Sequence, residues 1–382
     1  MAFGGGLVVI VATWTAMMST FVLPRGRSRP QLVALGVTRG VREVFVGLSH
    51  LTSDFARKDS VLAAVGPASL LAQLVVFLGL FVVGYALAMA PWARSVPAAF
   101  ADSGSAVFVV GLAGAARRSN DVLAVLAAAT GAISIALQIG YLPTIYQAFN
   151  RRESLVTLME ARAGVPAWGP ELLVRHQLVH SLDALVELYK SWEDWAAEVA
   201  ESHVSYPVLL YFRSPEPGFS WILSLLTILD AAAMHLALCP ASAPSQARMC
   251  LRMGFTALRR VATALRITYD PDPLPGAPIR LSFEEFRYAV GVLEEVGFPA
   301  ERSAEEAWPH FHGWRVNYEP AAQRIADRIV APSAPWSGER RHLGSATTMP
   351  DRPPHRSPGG AVFQDSKYRP EQSGTGAGRS DL

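Results

Sequence analysis

Ser103-Gly104-Ser105-Ala106-Val107-Phe108-Val109-Val110-Gly111-Leu112-Ala113-Gly114 is the stretch whose reading decides the fold. The apolar run that it opens, Ala106 to Ala116, is too short to cross about 30 Å of hydrocarbon, which takes about 20 helical residues. It can dip into a membrane and return. Lipid satisfies no backbone N–H or C=O, so non-helical chain at that depth must be buried in protein or line a wet cavity. A re-entrant loop here therefore requires a helical bundle around it. Val122 to Asn150 follow without a charged residue, long enough to span with some tilt. Within that segment Thr130, Ser134 and Gln138 recur every fourth residue and share one face. The face either lines an aqueous path or hydrogen-bonds packed helices. Gly131 and Gly140 are candidate gating hinges or close-packing positions, and Pro143 should kink or end the helix.

Composition sets the outer bounds. Of 382 residues, 51% are hydrophobic and only 17% charged, which points to a membrane portion. The net charge of +2 is small and the basic residues are dispersed, which argues against nucleic acid as a partner. Two cysteines, Cys239 and Cys250, cannot build a disulfide framework or a structural zinc site. His176 and His180 have zinc-helix spacing, yet the general-base Glu of a zinc protease is missing between them, so they read as surface histidines. No phosphate-cradling glycine loop or nucleophile elbow occurs. Neither an enzyme nor a cofactor is expected.

Met1 to Pro24 hold an uncharged stretch of spanning length, with Arg25, Arg27 and Arg29 after it. A cleavable signal peptide carries its basic residues before the apolar core, so residues 1–24 read as an anchor. Residues 25–59 contain seven Lys or Arg, whereas Pro91 to Asp121 contain three. The positive-inside rule then places Met1 outside and residues 25–68, a basic linker with a weakly amphipathic Gln31–Leu51 segment, in the cytoplasm. Ser69 to Met89 is the clearest transmembrane segment, closed by Pro91, Trp92 and Arg94. Residues 69–150 thus form a helix, a loop and an inner helix. Residues 151–330 read as a cytosolic α-helical domain, and residues 331–382, rich in Pro, Gly, Ser and Arg, as a disordered tail. Ser220 to Cys239 is apolar enough for a fourth crossing. Its Asp230 would cost about 2.5–3.5 kcal/mol at mid-bilayer, so a helix in the domain core is preferred, with Arg252 or Arg259 as its partner. Arg248 to Arg266 and Ser282 to Val296 are further helices, the second opened by a capping box of Ser282 and Glu285. The fold class is all-α.

Asp102-Ser103-Gly104-Ser105, Gly140-Tyr141-Leu142-Pro143-Thr144-Ile145-Tyr146-Gln147-Ala148-Phe149, Ser202-His203-Val204-Ser205-Tyr206-Pro207 and Tyr211-Phe212-Arg213-Ser214 carry a resemblance. Over roughly Leu70 to Val330 the chain resembles bacterial potassium-channel-like membrane proteins with two transmembrane helices, one pore loop and a cytosolic helical domain. The resemblance implies a filter at Val109, Val110, Gly111, Leu112, Ala113 and Gly114, where a potassium channel has Thr-Val-Gly-Tyr-Gly-Asp. Val109 lacks the threonine hydroxyl, Leu112 replaces the bracing tyrosine and Ala113 the second glycine, all of which count against potassium selectivity. One loop cannot encircle an ion, so a homotetramer in the plasma-membrane bilayer, passing monovalent cations, is the expectation. The alternative is a non-conducting scaffold or sensor whose cytosolic domain binds a partner.

Overall fold

The structure, a computed structural model, describes residues 1–22, 32–109 and 121–337. Among these residues it is all-α: α1 (Ala2–Phe21), α2 (Leu32–Ser49), α3 (Phe55–Ala63), α4 (Val65–Met89), α5 (Val96–Val107), α6 (Asp121–Ala163), α7 (Gly169–Leu178), α8 (Leu185–Ser205), α9 (Trp221–Leu238), α10 (Ser245–Ala264), α11 (Phe283–Glu295), α12 (Ala304–Arg315) and α13 (Glu319–Ile329). Four of these helices are long and apolar enough to cross a membrane, which is compatible with a multi-pass membrane protein: α1, α4, α6 and α9. The first three differ from α9 in what surrounds them. They leave large apolar side chains exposed, such as Val8 and Val11 on α1, Leu71 and Val75 on α4, and Val125 and Ile139 on α6. By contrast 94% of α9 is buried inside the protein, so no side of it is left for lipid.

α1, α4 and α6 run alternately up and down. The edge of Phe3 meets Trp92 at 5.6 Å and Phe21 meets Phe77 at 5.7 Å, so the start of α1 lies beside the end of α4. They approach closely because Gly6 has no side chain: a Cβ there would sit 2.5 Å from the Ala88 nitrogen. Tyr85 near one end of α4 and Leu70 near the other both meet α6, through Thr130 and through the cluster with Tyr141 and Ile145. α2 is tied into this bundle rather than free as a linker, since Gln73 Nε2 donates to Thr38 Oγ1 at 2.9 Å.

α6 is a single helix of 43 residues that passes through Pro143 without ending. Proline forfeits one N–H, and Pro143 is exposed, so the interruption falls on the outer face. The helix thus continues past the last apolar turn into the second half of the chain. There α9 is the central element, packed by α7, α8, α10, α12 and α13. Trp192, Trp195 and Trp221 are core residues. α11 has its capping box of Ser282 and Glu285, and α12 has a second, Ser303 with Glu306. Asp230 is paired, but with neither Arg252 nor Arg259. Arg315 Nη1 reaches Asp230 Oδ1 at 2.6 Å and Tyr318 Oη donates to the same oxygen at 2.7 Å. Arg315 also donates to Glu319 Oε2 at 2.5 Å and to the Trp336 carbonyl at 2.6 Å.

At the junction of the two halves, Arg152 of α6 is 2% exposed. It donates to the carbonyls of Leu209 (2.9 Å) and Phe212 (2.6 Å) and pairs with Glu153. Its Nη1 lies 3.1 Å from His203 Nε2. Because a guanidinium only donates, Nε2 must accept and His203 carries its proton on Nδ1, toward the Val199 carbonyl. Burial pushes the His203 imidazole well below its usual range, and Arg152 pushes the same way. With the folded value depressed, this group's contribution to stability is complete above about pH 6.5 and is lost as the pH falls below it, by at most about 1.4 kcal/mol per pH unit. Unfolding measured at pH 7.5 and pH 5 should therefore show a shallower loss for His203→Gln than for the parent chain. Equal losses would contradict the neutral assignment.

Candidate functional site

The candidate site is the unit α4–α5–α6. Ser95 caps α5 by accepting from the Ala98 N–H at 3.4 Å, and Pro97 in the first turn sacrifices only an N–H that the helix leaves free anyway. Trp92 and Pro91 turn the chain at the end of α4, and α5 then folds back along it. Ser103 donates to the Val82 carbonyl at 2.8 Å, about two helical turns before α4 ends. The far end of α5 rests on α6: a Cβ on Gly131 would stand 1.8 Å from the Val107 carbonyl oxygen. Gly131 lies about three turns, or about 15 Å, beyond the start of α6. α5 is thus a short helix that enters between two long apolar helices and stops partway along them.

Thr130, Ser134 and Gln138 do share one face, and in the single chain that face meets α4 rather than open space. They are 4%, 0% and 4% exposed. Thr130 Oγ1 is 2.8 Å from Tyr85 Oη, Ser134 donates to the Thr130 carbonyl at 2.7 Å, and Gln138 Nε2 donates to the Leu70 carbonyl at 3.2 Å. Thr130 and Gln138 make polar contacts across a packed interface, and Ser134 satisfies its hydroxyl on its own helix, since buried hydroxyls and amides require partners. Gln138 Oε1 remains without one. The opposite face of α6 is exposed: Ala132, Ala136 and Gly140 on a four-residue repeat, then Pro143, Thr144, Gln147 and Asn150. Its first half is apolar, with Ala132, Ala136 and Gly140 beside the exposed Val125 and Ile139, and it turns polar toward the α7 end.

Of the six filter positions, Val109 is described. Its φ of +56° is left-handed, a region that β-branched residues rarely occupy, and its N–H donates to the Ala106 carbonyl at 3.0 Å. Val110, Gly111, Leu112, Ala113 and Gly114 lie outside the described residues. Gly140 has open space at its Cβ position, whereas Gly131 has none. The two glycines should therefore respond oppositely to alanine. Gly140→Ala gains up to about 1 kcal/mol of helix propensity. Gly131→Ala drives a methyl into the Val107 carbonyl and loses about 1–3 kcal/mol. Thermal unfolding in detergent checks the pair, and equal shifts would refute the close approach of α5 to α6.

His176, buried, places Nδ1 2.7 Å from the Leu172 carbonyl, and His180 is exposed. Among the described residues no cluster of three or more His, Cys, Asp or Glu side chains could hold a metal ion. The sequence pattern puts a re-entrant dip at Ala106–Ala116 and does not announce the helix that precedes it, Val96–Val107, which folds back on α4. Its signals are the Ser95 cap before Pro97 and the polar Ser103 placed to find a backbone carbonyl. Comparison with known proteins yields no family model, no curated protein and no solved structure that matches this chain.

Proposed function

We propose that α4, α5 and α6 form one subunit's share of a path for small monovalent cations, closed by several copies around an axis, four being the expected number. The observation that carries this reading is α5, a helix that turns back beside α4 and ends against Gly131 partway along α6. A helix ending inside the apolar layer presents its carbonyl end there, with a partial negative charge that favours cations. Each copy would contribute one such helix end, so several copies around an axis are needed to close the path. On this reading the exposed face of α6 turns to the axis, with Thr144, Gln147 and Asn150 lining the inner mouth. Thr130 and Gln138 bond α6 to α4 instead, and Ser134 is buried between them. The same reading has Met1 outside and the α7–α13 half in the cytoplasm, following the excess of Lys and Arg in residues 25–59.

A second reading draws on a different observation. α6 is unbroken from the bundle into the helical half, and Arg152 clamps it there. Such a rod suits a non-conducting sensor or scaffold. Flux through liposomes containing the purified protein separates the two. Cation flux above that of empty liposomes supports the path, and its absence at every voltage, pH and salt condition refutes it.

A further inference from the structure

A cleft lies where α2, the start of α4, the start of α9 and the end of α13 converge. About 20 Å³ of it is open to the centre of a water-sized atom. Three of its lining residues carry buried polar atoms with no hydrogen-bond partner: Ser214 Oγ, Trp221 Nε1 and Arg328 Nε. Ser214 is 6% exposed and Trp221 2%. Buried donors are almost always satisfied, so three unpartnered polar atoms on residues that line one cleft mark it as the place for an occupant. α9 adds to them. It begins at this cleft, and Ser220, its N-cap, makes no side-chain cap bond, which leaves first-turn N–H groups of an 18-residue helix uncapped.

The charges agree with the donors. Arg42, Arg213 and Arg328 line the cleft. Arg213 is held by Asp59 and by the carbonyls of Ile329 (2.7 Å) and Val330 (3.0 Å). Arg42 donates to the Arg328 carbonyl at 2.7 Å and pairs with the exposed Glu43. Arg328 makes no ion pair with a described residue. Three guanidinium groups therefore face two carboxylates, and the spare groups are donors. A neutral occupant would leave the surplus charge unmatched, whereas a tetrahedral oxyanion offers acceptors to every one of them.

We infer that this cleft binds a phosphate group, carried by an anionic lipid or free in solution. Its place supports the lipid source. Leu62 and Val65 line it, and Val65 is the first residue of the long apolar α4. Beside it α2 leaves Val44 and Leu48 exposed. A phosphate in the cleft would sit at the level where α4 enters the apolar layer.

The test uses the full chain, delipidated in detergent. Inorganic phosphate is titrated by calorimetry, and retention of phosphatidylglycerol against phosphatidylcholine is read by native mass spectrometry. Retention of phosphatidylglycerol alone identifies the lipid source, phosphate binding alone identifies the soluble one, and either supports the site. Arg328→Gln or Trp221→Phe, which keeps the ring and removes only the N–H, should weaken binding about tenfold, as loss of a hydrogen bond to a charged group does. Ser214→Ala removes an oxygen that bonds nothing in the protein, so it should weaken binding while leaving the melting temperature in place. Arg324→Gln, on the exposed side of α13, should change nothing. Binding of neither probe, or an equal loss with Arg324→Gln, would overturn the inference.

Discussion

Replacing Arg315 by methionine should cost the helical half of the protein about 3–5 kcal/mol, the penalty for removing one member of a buried ion network. Arg315 is 1% exposed and is the group on which Asp230, Glu319 and the Trp336 carbonyl converge. Without it two carboxylates remain buried at 1% and 2% exposure, with one cation gone. The loss would exceed that of packing alone, since methionine fills most of the arginine stem's volume. Chemical unfolding measures it. A triple change, Arg315→Met with Asp230→Asn and Glu319→Gln, should recover a large part of the stability because it removes the stranded charges. If the triple variant is no better than the single one, the network is not the source of the cost.

Arg152→Met should have an effect of similar size, about 3–5 kcal/mol, but at a different place. Arg152 joins α6 to the 3₁₀ segment Pro207–Tyr211 and the residue after it. Its removal strands Glu153, 7% exposed, whose Oε2 already lacks a partner. The segment around residues 207–214 should become sensitive to protease before the α9 core does. Simultaneous melting of both regions would show instead that the clamp is not a separate joint. Trp195, whose indole N–H donates to the Arg152 carbonyl at 3.0 Å, keeps the backbone of α6 tied to α8 in the variant. The expected damage is therefore a loosened junction rather than a detached domain.

Much of this architecture can be read in the chain itself, and the reasons for the rest are physical. α4 and residues 122–150 of α6 are long uncharged segments, so composition and length reveal them. Ser282 and Glu285 announce α11 because a capping box is a local signal. Ser303 and Glu306 carry the same signal for α12. The shared face of Thr130, Ser134 and Gln138 follows from helical period, yet period cannot say which neighbour the face meets. That depends on Tyr85 and Leu70, more than forty residues away in sequence. Asp230 shows the same limit. A partner on the next helix was the local expectation, whereas the fold brings in Arg315 at a sequence separation of 85. The continuity of α6 through Pro143 also escapes local rules, because a proline on an exposed face loses a bond where solvent or lipid, not a packed core, surrounds it. The orphan donors of the cleft belong to α9, α13 and the Ser214 loop, which become neighbours only on folding.

On the proposed function α6 turns its Gly140–Thr144–Gln147 face to an aqueous axis, while its Thr130–Ser134–Gln138 face meets α4. Single cysteines at these six positions, in a background with Cys239→Ala and Cys250→Ala, test it with a water-soluble thiol reagent on protein in membranes. Both native thiols are buried and their replacement removes background labelling. Labelling at 140, 144 and 147 is expected, with none at 130, 134 and 138. Labelling at 130, 134 and 138, or at none of the six, would contradict it.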